Sequence, residues 1–208
     1  MNVEDIEYKK NTQNSINYWK EIEEELPNEL QNLNGIILLT YNSVEFTHII
    51  NFLQNIRKGE FLTVLYISLV RSYNYIKSAL DLKPLNQKKI MFIDCVSGYA
   101  FPIDEQIDEA FYHKPPLNLD EMKEIIQFGI DKTNPDIIII DSLSQFINFS
   151  KTTSGELSQF YEFLKNIKEN TISITQNTFI LLYDTKLGAI QCLPKKNMDS
   201  IFKIEISK

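Results

Sequence analysis

Residues 136–143 read DIIIIDSL, four branched apolar side chains in a row closed by Asp141. A run that is apolar at every position, and not at every other one, suits a strand covered on both faces, as in a parallel sheet flanked by helices. Four more stretches carry the same signature: GIILLT (35–40), TVLYISLV (63–70), KIMFIDCV (89–96) and TFILLY (178–183). FKIEIS (202–207) alternates instead, which predicts an edge strand. Helical spacing fills the intervals. It runs over 43–57 with Val44, Phe46, Ile49, Ile50 and Leu53 inward, over 73–82, over 119–132 with Met122, Ile125, Ile126 and Ile130 inward, and over 156–168. Strands alternating with helices predict right-handed crossovers and a three-layer α/β/α domain with a mainly parallel sheet.

That domain spans 35–208. Residues 1–34 read as an N-terminal helical arm, with Ile16, Trp19, Ile22 and Leu26 spaced at three and four and a break at Pro27. With Tyr18 and Trp19 it packs either on its own sheet or on a neighbour. Residues 97–116, rich in Pro and acids, form the longest loop candidate. The chain of 208 residues carries 21 Lys and Arg against 28 Asp and Glu, a net charge of −7, so no basic face invites nucleic acid or an anionic membrane. Its apolar runs reach only about eight residues, short of the roughly 20 that a membrane helix needs. Cys95 and Cys192 lie far apart, without a zinc spacing or disulfide framework, and the acidic start is unlike a secretion signal; a cytoplasmic setting is expected.

Ligands in such sheets bind beyond the carboxyl ends of the strands. After 35–40 comes YNSVEFTH, Tyr41 to His48. A phosphate-binding turn here would be GxxxxGK[ST], since backbone amides must wrap the phosphate and a Lys must neutralise it. Neither Gly, Lys nor Arg occurs between Gly35 and Arg57, and Glu45 would repel a phosphate. Asn42, Ser43 and Glu45 read most simply as helix caps. Asp141 permits two readings: a strand-end carboxylate offered to magnesium on a nucleotide, or an acid capping the next turn with Ser142 and Ser144. Asp94 and Asp184 close two other strands. The three acids either form a cation site or solvate the rim. Arg71 is the basic residue at this rim, and a salt bridge to Asp94 or Asp141 is its simplest role. His48 has no nucleophile near it in sequence, His113 reads as a loop residue and Cys95 as core. Phe146, Phe149, Phe160, Tyr161 and Phe163 are core or interface.

Taken together, VLYISLVRSYNYI, then KIMFIDCVSG, then PDIIIIDSLSQFINF and a late FILLYD resemble the RecA/KaiC-like ATPase superfamily, particularly its small single-domain archaeal members. The resemblance covers about 34–207 and lies in block order and spacing. It implies a Walker B position at Asp141 with Ser142, and a phosphate-loop position at Tyr41, Asn42, Ser43, Glu45 and Thr47. It also implies paired catalytic glutamates where this chain has Val70 and Arg71. Cradle, lysine and carboxylate base are thus absent together, and each such group typically carries about 3 to 4 kcal/mol of barrier lowering. The expectation is a pseudo-ATPase without a resident cofactor, acting as a regulatory or protein-interaction module through self-association or a protein partner. The alternatives are a weak ATPase holding Mg-ATP at Asp141, and a nucleic-acid partner, which the acidic balance disfavours.

Overall fold

In the computed structural model IIIID is β7 (Ile137–Asp141), at the centre of a mostly parallel sheet. Residues 5–7, 34–41, 46–57, 59–82, 87–98, 100–101, 106–170, 178–186 and 198–204 are described. Their other elements are β1 (Asp5–Glu7), β2 (Ile36–Tyr41), α1 (Phe46–Asn55), β3 (Leu62–Ser68), α2 (Tyr73–Leu82), β4 (Lys88–Asp94), β5 (Gln106–Ile107) and β6 (Ala110–Tyr112). The chain continues through α3 (Leu119–Thr133), α4 (Leu143–Ser150), α5 (Ser154–Asn170), β8 (Thr178–Asp184) and β9 (Ser200–Ile204). Strand order is β1-β9-β2-β8-β7-β3-β4-β6-β5, parallel throughout except for the β5–β6 pair.

Unbroken apolar runs feed two cores because side chains alternate across the sheet. Ile37 and Leu39 of β2, Tyr66 of β3, and Ile137 and Ile139 of β7 pack with α1 and α2. Ile36, Leu38, Ile67, Ile138 and Ile140 pack on the opposite face with α3, α4 and α5. Each of Ile137 to Ile140 is at most 2% exposed, which contributes about 2 kcal/mol per side chain. Gly129 lets α3 approach β3: a Cβ there would stand 2.5 Å from Leu65 Cδ2. The same helix is closed at its start by Asn118, whose side chain accepts from Glu121 N while Glu121 accepts from Leu117 N. Asn134, left-handed at φ 44°, ends it.

All six expected strands form, with three differences. Strand β9 is not an edge, because β1 pairs with it in parallel; this strand lies within the segment expected as a helical arm, whose Ile16, Trp19, Ile22 and Leu26 fall outside the described residues. Strands β3 and β4 stop two residues short of expectation. Ser68 Oγ accepts from Arg71 N, and Asp94 Oδ1 accepts from Val96 N and Ser97 N, so each strand's last polar residue turns the chain off the sheet. The long loop candidate contains the β5–β6 hairpin, and α4 starts directly beyond Ser142 where the apolar run had suggested continuing strand. Of the five aromatics left open, Phe146, Phe160 and Tyr161 are core, Phe163 packs at its margin and Phe149 is exposed.

Candidate functional site

Strand β3 leads to α2 on one face and β7 leads to α4 on the other, so the carboxyl ends of these neighbouring strands form the switch point where such sheets hold ligands. Asp141 ends β7 there and is fully buried. Its carboxylate is spoken for: Arg71 Nη1 lies 2.9 Å from Oδ1 and 2.7 Å from Oδ2, and the Tyr66 hydroxyl donates to Oδ2 at 2.7 Å. The guanidinium also stands 4.6 Å from the ring centroid of Phe46, the first residue of α1, and lies near the Tyr41 hydroxyl at the end of β2. Ser68 Oγ donates to Arg71 O at 2.5 Å, which fixes the turn that delivers the side chain. Arg71 therefore joins β2, β3, β7 and α1.

The electrostatics favour this arrangement. Burial works against the Arg71 charge, but the Asp141 carboxylate and the two tyrosines outweigh it, and the guanidinium holds its proton more tightly than usual. Burial, reinforced by Asp141, likewise raises the hydroxyls of Tyr41 and Tyr66 well above the ordinary tyrosine range. Both hydroxyls stay neutral. The pair thus meets the conditions under which a buried ion pair is tolerated, with extra hydrogen bonds on the carboxylate and an aromatic face against the cation.

The other rim acids have separate partners. Asp94 Oδ2 accepts from Tyr73 N at 2.8 Å, while its Oδ1 takes the two amides of the following turn, which Gly98 lets pass against the His113 carbonyl. Asp184 Oδ1 accepts from Lys186 N, and Asp184 N donates to Ser144 Oγ. Ser142 caps α4 by accepting from Gln145 N, and its Oγ meets Ser144 Oγ at 2.9 Å. Ser68 is the register partner of both Asp94 and Asp141, so two strand spacings, about 10 Å, separate those acids. Of the two alternatives for the three acids, the cation site does not assemble: among the described residues no group of three or more His, Cys, Asp or Glu could hold a metal. A magnesium ion at Asp141 would meet the Arg71 guanidinium, so the carboxylate as it is paired does not fit that ion.

Of the phosphate-loop positions, Tyr41 is buried at the end of β2 and Thr47 lies in α1, which begins at Phe46. Asn42, Ser43 and Glu45 lie outside the described residues. Two members of the cluster, Tyr66 and Phe46, escaped the sequence reading. Tyr66 could have been found as the one aromatic side chain inside a largely aliphatic strand, two residues before Ser68 and so on the face that Asp141 shares. Phe46 read as core, which it also is.

Among known proteins, no family model and no curated sequence matches the chain. Solved structures do. The flagellar accessory protein FlaH from Methanocaldococcus jannaschii superposes with a TM-score of 0.52 at 14% identity, over 86% of this chain and 76% of that one. A KaiC-like protein from Pyrococcus horikoshii OT3 gives 0.49 at 9% identity, over 83% and 72%. The likeness to FlaH is one of fold, and with the topology above it defines the class: the chain has the RecA/KaiC-like ATPase fold. Among the described residues no helix is long and apolar enough to cross a membrane.

Proposed function

We propose that the chain is a non-hydrolysing protein of RecA/KaiC-like fold that works as a regulatory or protein-interaction module. The Arg71–Asp141 pair carries this reading. The carboxylate that would hold magnesium accepts instead from a guanidinium and a phenol, and displacing the guanidinium would cost its contacts with Tyr41 and Phe46 as well. The sequence around it agrees, with a turn lacking Gly, Lys and Arg after β2, and Val70 and Arg71 at the positions of the catalytic glutamates. Binding of a protein partner or a second copy at this rim is supported by four exposed apolar side chains that follow strand carboxyl ends: Tyr75, Val96, Phe101 and Leu117. Phe101 stacks on Tyr112 at 4.1 Å and Tyr75 meets Phe46 at 5.8 Å, so the exposed rings rest on rigid supports. A cytoplasmic place of action accords with the buried free thiol of Cys95.

Calorimetry with Mg-ATP, followed by a turnover assay, tests the reading. Neither binding nor hydrolysis is expected. Micromolar binding, or turnover that disappears in Asp141→Ala, would replace it with the weak-ATPase alternative. Light scattering after size exclusion at tens of micromolar separates the two kinds of partner, since a strict monomer would remove the second copy.

A further inference from the structure

At the amino end of the sheet, opposite the rim, Lys88 opens β4 on the face that Ile90 and Phe92 share. It lines a small apolar cavity with Leu53 of α1, Ile56 just beyond that helix, Val64 of β3, Ile137 of β7 and Ile180 of β8. Glu60, the carboxylate whose charge acts on Lys88, is occupied: Arg57 Nη2 lies 2.5 Å and Nε 3.0 Å from its Oε2. Among the described residues Lys88 has no ion pair of its own. Its neighbour Lys89 is exposed and points to the opposite face.

We propose that Lys88 is a nucleophilic amine and a site of covalent acylation by small activated acyl donors of the acyl-phosphate class. Three features favour the neutral, reactive amine. The stem and head are half-buried among branched apolar side chains, the counter-charge is held by another cation, and that cation itself stands close by. Burial lowers the ammonium's pKa, with Glu60 opposing and Arg57 assisting the shift. The cavity has room for about one water at most, so the smallest acyl group, acetyl, is the one that crowds it least. In the reaction the amine nitrogen attacks the carbonyl carbon and a C–N bond forms. The bond from that carbon to the phosphate oxygen breaks, phosphate departs with the bonding pair, and the amine proton passes to water. The product is a neutral amide beside an apolar cavity, where the charged amine had been desolvated.

Acetyl phosphate is the probe and the adjacent lysine the control. The full chain is treated at a tracer level of reagent at about pH 7.5, and peptide mass spectrometry reads Lys88 against Lys89, with Lys88→Arg and Lys89→Arg assigning the peptide ions. Lys88 is expected to acetylate about threefold faster or more in the folded chain, and the ratio to fall to about one in denaturant. A folded ratio at or below one overturns the proposal. In Arg57→Gln, Glu60 is freed to pair with Lys88, and the Lys88 rate is expected to drop about twofold or more. An unchanged or higher rate would equally overturn it, since the amine's reactivity would then not depend on its missing counter-charge.

Discussion

Replacing Arg71 with Ala is the most direct test of how the rim is held. The substitution leaves Asp141 at zero exposure with the Tyr66 hydroxyl as its remaining side-chain donor, and breaking a buried pair in this way costs about 3 to 5 kcal/mol. Loss of the guanidinium from the face of Phe46 adds about 1 kcal/mol. With a urea dependence of about 2 kcal/mol per molar, the unfolding midpoint should fall by roughly 2 to 3 M. A second variant separates burial from pairing. The triple change Arg71→Met, Asp141→Leu and Tyr66→Phe removes both charges and the Tyr66 hydroxyl at similar volume, and should return to within about 2 kcal/mol of the parent. Urea unfolding followed by circular dichroism measures both. An Arg71→Ala cost below about 1 kcal/mol would mean that water already screens the pair. Asp141 would then be open to an external cation, and the proposed function would lose its main support.

Other substitutions probe the frame around this pair. Asp94→Ala strips the acceptor from the amides of Tyr73, Val96 and Ser97 and should cost about 3 kcal/mol, whereas Asp94→Asn, which keeps one oxygen, should cost about half as much; urea unfolding distinguishes them. Gly129→Ala gains about 1 kcal/mol of helix propensity but drives a methyl into Leu65 and Ile93, so a net loss of about 1 kcal/mol is expected as a lower melting temperature. The Tyr73 hydroxyl donates to Glu109 at 2.5 Å, and this bond, with Lys77 assisting, holds the carboxyl below its ordinary 4.5. A depressed folded-state pKa stabilises above the unfolded value and the benefit disappears as pH falls through the folded one. Tyr73→Phe should therefore be slightly less stable than the parent at pH 7, and that difference should shrink by about pH 3 in parallel thermal melts.

The fold was legible because burial on both faces writes itself into composition. Runs such as IIII at 137–140 and ILL within 36–39 leave few other ways to cover the chain, and helices of period 3.6 between them supply the covering layers. What escaped prediction is short or depends on distant partners. Strand β1 has three residues and β5 two, too few for any period to register. Helix α4 is eight residues long and starts inside the apolar signature of its own strand, so only the cap formed by Ser142 marks the change. The Arg71 salt bridge was legible as a choice between two acids. The choice itself was not, because it rests on Ser68 turning the chain back over β7, a matter of trajectory that residue types do not encode.

The three rim acids show why residue type alone could not settle the site's chemistry. Asp94, Asp141 and Asp184 each close a parallel strand, and alternation directs all three to the face that carries α1 and α2. What distinguishes them is the path of the chain after the strand. Beyond β4 the chain turns at once, and Asp94 collects two amides of its own turn and one from the start of α2. Past β8, the backbone of Lys186 reaches back to Asp184. After β7 the chain leaves for the opposite face into α4, so no local amide bonds to the Asp141 carboxylate, and its partners come from β3 and the turn beyond it. A buried carboxylate without local donors requires an imported cation. In an active nucleotide-binding protein that cation arrives with the substrate. Here the carboxylate is paired with Arg71, part of the chain itself, and under the proposed function that guanidinium takes the place of the metal.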